Sequence, residues 1–160
     1  MTPVAEIVFV DTNVLLSATD ESRAHHRIAR ALVARGAASG IHGATSGQVL
    51  REYLVVATRA VRENGLGMSS VDALSNIEQI ARRLVFCEET ELVSKRLRGL
   101  VRAHALVGKS VHDANVVATM SAHGIRTLVT ENPGDFQRYS EATVLDLADV
   151  TGAAGQSGGT

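Results

Sequence analysis

Four acidic residues carry the chemistry that this chain can offer: Asp11, Glu52, Asp113 and Asp135. Carboxylates grouped without thiols or imidazoles supply oxygen ligands only, which favours Mg²⁺ over zinc and lets Mn²⁺ substitute. Like charges brought together are costly unless a cation neutralises them. One or two ions held in this way can bind a water and stabilise the charge on a phosphate in transfer. Each acid also has a structural explanation. Asp11 can be a turn or cap residue, Glu52 a solvated helix residue and Asp113 a residue favoured by a helix dipole. Asp135 can be a turn residue after Pro133-Gly134, and Glu131 competes with it for the fourth place.

The elements around these acids decide whether they can meet. Ile7-Val8-Phe9-Val10 is apolar and β-branched or aromatic throughout, so it reads as a strand buried on both faces that ends at Asp11. Thr12 to Ala18 reads as a connection, and His25 to Arg35 as a helix closed by Gly36. A very short second strand fits Gly40 to Gly43. Thr45 or Ser46 can then cap a helix from about Gly47 to Arg62, with Glu52 early in it. Ser69 starts the helix of Leu74, Ile77, Ile80, Ala81 and Leu84, and Val85-Phe86-Cys87 is a third strand. Thr90 caps the helix of Leu92, Val93, Leu97 and Leu100, and Asp113 opens another over about His112 to Ala122. Arg126 to Thr130 and Thr143 to Leu145 complete five strands. Strands alternating with helices predict a three-layer α/β/α domain over residues 1–150 with a central, mainly parallel sheet. Residues 151–160, TGAAGQSGGT, read as a disordered glycine-rich tail. With a strand order of 3-2-1-4-5, the ends of strands one and four flank the crevice where such sheets bind ligands, and the four acids converge there.

Four segments, in order, resemble the motifs of PIN-domain ribonucleases, and of the VapC toxins within that group. Val10-Asp11-Thr12-Asn13-Val14-Leu15-Leu16 is similar to their opening strand motif, and Gln48 to Tyr53 to their second-acid helix. Val111 to Ala118 resembles the third-acid helix, and Leu128 to Phe136 the closing strand and loop. The resemblance runs from about Ile7 to Leu147. It implies the PIN-like strand order 3-2-1-4-5, Mg²⁺-dependent endoribonuclease activity and a homodimer. It further implies inhibition by a small antitoxin whose tail enters the acidic cleft. The acid before Phe136 makes Asp135 the expected fourth member, with Glu131 the alternative. Thr12, Asn13 and Thr130 are expected as polar support around the metals.

Composition narrows the remaining classes. The 160 residues are 45% hydrophobic and 21% charged, ordinary for a soluble domain, and fit one core. No apolar run spans a bilayer and the N-terminus lacks a signal-peptide pattern, so no membrane association and a cytoplasmic location are expected. The single Cys87 excludes an internal disulfide framework and reads as a core thiol. Net charge is −1 and there is no Trp, which argues against a base-stacking platform for single strands. His25, His26 and His112 read as surface or capping residues. Arg51, Arg59 and Arg62 read as a solvated face that can alternatively line an RNA path. Gly65-Leu66-Gly67 lacks the strand and third glycine of a dinucleotide site. A housekeeping PIN-type ribonuclease, a DNA-cleaving nuclease and a PIN-like module without activity are alternatives. A receiver-type signalling domain is another, but it needs paired acids after strand one and a late lysine; Val10 precedes a lone Asp11, and neither Lys95 nor Lys109 lies on a late strand.

Overall fold

Five parallel strands, in the order 3-2-1-4-5, form the centre of the computed structural model, which describes residues 5–35 and 40–150. They are β1 (Glu6–Val10), β2 (Ile41–Ser46), β3 (Val85–Cys87), β4 (Thr127–Thr130) and β5 (Thr143–Asp146). Every pairing is parallel, with Phe9 opposite both Ala44 and Leu128. The α-helices among the described residues are α1 (Thr12–Thr19), α2 (His26–Arg35), α3 (Gly47–Thr58), α4 (Ser70–Ala81), α5 (Glu91–His104) and α6 (Ser110–Ala122). From β1 the chain steps outward through β2 to β3, then returns past β1 to β4. Right-handed crossovers therefore place α1–α4 on one face of the sheet and α5 and α6 on the other. The contacts agree, since α1 touches both α2 and α3, α3 touches α4, and α5 pairs with α6. The result is the expected three-layer α/β/α arrangement.

Local chemistry sets most element boundaries. Ser46, Ser69 and Thr90 each sit in extended backbone and accept from the amide three residues on, which starts α3, α4 and α5. The core runs through the middle of the sheet, with Phe9, Val10, Leu128 and Val129 almost without exposure. Phe136 and Tyr139, after β4, are equally buried and hold that loop down.

Several elements depart from the sequence reading. The stretch read as a connection after Asp11 is helix α1: Asp11 caps the Thr12 amide, and Val14, Leu15, Leu16 and Ala18 all bury. β1 is not buried along its whole length, because β4 pairs only from Val8 onward and Ile7 stays 41% exposed. β2 extends to Ser46, since its small residues fit between neighbours; a Cβ at Gly43 would lie 2.7 Å from Leu84 Cδ2. α3 stops at Thr58 rather than near Arg62, and the chain turns back so that Leu66 and Met68 donate to the carbonyls of Val56 and Ala57. At that turn a Cβ on Gly65 would sit 2.0 Å from the Arg59 carbonyl oxygen, so only glycine fits. The closing Gly36 and the tail at 151–160 lie outside the described residues. Among the described residues, no helix is long and apolar enough to cross a membrane.

Candidate functional site

The strand order reverses between β1 and β4, and Asp11 stands at that point, its amide bonded to the Val129 carbonyl at 3.0 Å. Both of its carboxyl oxygens are held. Oδ1 accepts from the Thr12 amide at 2.8 Å. Oδ2 accepts from the Thr130 hydroxyl at 2.8 Å and from Asn13 Nδ2 at 3.4 Å. Glu52, on α3, is fixed in the same manner: Thr12 Oγ1 donates to one oxygen and Gln48 Nε2 to the other, each at 2.9 Å. Thr12, Asn13 and Thr130, expected as polar support, thus contact the acids directly or tie their loops together.

Asp113 and Asp135 have a different environment. Asp113 lies in the first turn of α6, half-buried, and Asp135 closes the exposed 3₁₀ turn Pro133–Asp135. Among the described residues neither carboxylate has a hydrogen-bond or ion-pair partner. Burial, with the charges of Asp135 and Asp11 adding to it, pushes the Asp113 carboxyl up to about 6, against a smaller opposing pull from Lys109. Glu52 acts on it in the same direction. Burial likewise raises Asp11, which the hydrogen bonds from Thr130 and Thr12 oppose and the charges of Glu52 and Asp135 reinforce. Each of the four acids therefore lies within electrostatic reach of at least two others. None forms a salt bridge among the described residues, where all three such bridges involve other acids.

Glu131 has other company. Its carboxylate accepts from the Ser17 hydroxyl and lies 3.8 Å from Arg23, while its amide donates to Asn13 Oδ1 at 3.1 Å. Its charge is absent from the influences on Asp11 and Asp113.

The donor chemistry suits a hard divalent ion: four carboxylates, none of them ion-paired among the described residues, with Lys109 acting on Asp113 less than Asp135 and Asp11 do. Their oxygens do not already close on one point, since among the described residues no three His, Cys, Asp or Glu side chains are placed to hold an ion. Repulsion between unneutralised carboxylates opposes such closure, and a bound cation removes it. Two histidines bond elsewhere, His26 to the Ser17 carbonyl and His123 to that of Glu88. Cys87 is buried as expected. Sequence reasoning missed Gln48 and Asn115, which are bonded to each other at 2.6 Å behind Glu52. Their only local signal is position, four residues before one acid and two after another.

A family model described as PIN domain matches residues 8–142. The chain superposes on VapBC2 from Rickettsia felis, bound to a promoter DNA fragment, with TM-score 0.64 and 18% identity, covering 88% of this chain and 98% of that one. It does so on VapBC-1 from nontypeable Haemophilus influenzae with TM-score 0.64 and 15% identity, covering 89% and 99%. For Mycobacterium tuberculosis VapC20, described as a sarcin-ricin loop cleaving toxin, the values are 0.55 and 20%, with 76% and 86% covered. No curated protein matches the chain.

Proposed function

The chain belongs to the PIN-domain family, and from that premise we propose that it is a Mg²⁺-dependent endoribonuclease acting through Asp11, Glu52, Asp113 and Asp135. One observation carries this reading: four carboxylates act on one another at the strand-order reversal, and among the described residues none of them is paired with a cation. Bound there, Mg²⁺ supplies Lewis-acid stabilisation for a phosphodiester attacked by water.

The protein's own part is to hold and present the ligands. Asp11 is immobilised by three donors and Glu52 by two, so both enter the site with fixed orientation. Asp113 must be ionised to bind, and its carboxyl, raised to about 6, makes a cation compete with the proton below that pH. Asp135, exposed and without a side-chain partner among the described residues, suits an outer ligand reached largely through water.

The similarity to proteins solved as VapBC pairs supports a toxin of a type II toxin–antitoxin system with a small antitoxin, and we propose that it works as a homodimer. An antitoxin that presents Arg or Lys to the unneutralised acids would complement them. The test uses purified protein and single-stranded RNA. Cleavage should require Mg²⁺ or Mn²⁺, stop with EDTA, and fall by orders of magnitude in Asp11→Asn while the fold persists. Full activity in EDTA would overturn the mechanism. Preferential cleavage of DNA would replace the substrate.

A further inference from the structure

Gln48 is a deeply buried polar side chain, 2% exposed, and two of its hydrogen bonds lead to the acidic cluster. Its Nε2 donates to Glu52 Oε1 at 2.9 Å, one helical turn along α3. The same nitrogen donates to the His112 carbonyl at 2.9 Å, in the residue that precedes Asp113. Its Oε1 accepts from Asn115 Nδ2 at 2.6 Å, and that nitrogen also donates to Glu89 ahead of α5.

Only one orientation of the amide works. The Glu52 carboxylate and the His112 carbonyl accept and cannot donate, so the nitrogen must face them. The oxygen is left toward Asn115, whose own nitrogen is held by the Glu89 carboxylate. Space-filling alone would be served as well by Leu or Met, without the cost of desolvating an amide. The side chain instead links a carboxylate on α3 to the backbone beside a carboxylate on α6.

We infer that Gln48, backed by Asn115, is a positioning residue that sets the separation and orientation of Glu52 and Asp113 for a divalent cation. This rests on the metal-site reading of the cluster. Losing the strut leaves Glu52, among the described residues, with the Thr12 hydroxyl alone and frees the first turn of α6 to shift against α3. The ligands then remain present but unaligned, and the ion binds more weakly.

The experiment measures Mn²⁺ affinity of the full chain without RNA, by calorimetry or by the electron paramagnetic resonance signal of free Mn²⁺. Gln48→Met keeps side-chain volume and removes the hydrogen bonds, and is expected to weaken Mn²⁺ binding by about tenfold or more. Its RNA cleavage should recover at saturating Mn²⁺. Asn115→Leu should show a smaller loss in the same direction, and decides the matter if Gln48→Met does not fold. Wild-type affinity in a variant whose metal-free melting temperature has dropped would overturn the inference and make Gln48 a stability residue. Wild-type protein that binds no Mn²⁺ would instead remove the metal reading itself, and this inference with it.

Discussion

Thr12 joins two of the acids by itself: its amide donates to Asp11 at 2.8 Å and its hydroxyl to Glu52 at 2.9 Å. Because Thr12 is 7% exposed, little water replaces either bond if it is lost. Thr12→Val keeps the shape and the amide but removes the hydroxyl. A hydrogen bond to a charged group contributes about 1.5–3 kcal/mol, so Mn²⁺ affinity should fall on the order of tenfold or more. Metal titration of the two proteins checks this. Equal affinities would show that Glu52 needs no support from α1.

The raised pKa of Asp113 fixes the sign of a pH effect. Its folded value of about 6 lies above the ordinary 3.8, so the metal-free fold binds the proton more tightly than the unfolded chain. The stability this contributes is fully present below about pH 4 and is lost as pH rises through about 6. Metal-free melting curves for wild type and Asp113→Asn should therefore diverge over that window, with the wild type losing ground as pH rises. Metal binding runs the opposite way: Mn²⁺ affinity should weaken below about pH 6, where the proton must first leave. Parallel melting curves would place Asp113 outside the repulsive cluster.

Asp135 and Glu131 should separate by substitution. Asp135→Asn removes an exposed charge that acts on Asp11 and Asp113, so rate and Mg²⁺ dependence should fall with little change in stability. Glu131→Gln weakens contacts with Ser17 and with an Arg23 partner at 3.8 Å. Such a partly exposed pair is worth at most about 1 kcal/mol, a melting shift of about 2–4 °C. Its rate should stay close to wild type. The reverse ranking in a metal titration would make Glu131 the fourth ligand.

Phe136 anchors the turn that carries Asp135, and only 1% of it is exposed. Phe136→Ala should cost about 3–5 kcal/mol in denaturant unfolding. Because the turn loses its anchor, the activity of the remaining folded fraction should fall as well. Full specific activity would mean that Asp135 does not need this loop.

The sequence by itself determined what local rules govern. The capping hydroxyls of Ser46, Ser69 and Thr90, the 3.6-residue spacing in α4 and the apolar runs of β1 and β4 each depend on neighbours a few residues away. Acids following strands or opening helices were legible for the same reason, and right-handed crossovers then limit where such a chain can bring them. The sequence shows β2 as a short strand because Gly43, Ala44, Thr45 and Ser46 have no bulk to signal one, and only the packing of Leu84 over Gly43 explains the glycine. α1 was missed because its first turn is set by Asp11, a residue equally at home in a turn. Tertiary structure alone decided the partners of the acids. Thr130 reaches Asp11, Ser17 reaches Glu131, and Gln48 bridges Glu52 to the start of α6. These side chains lie far apart along the chain, and a polar residue gives no periodic signal of which distant group will satisfy it. Only when the strands stack in register do β1 and β4 end side by side, leaving Glu131 turned toward Arg23 and Asp135 within reach of the other acids.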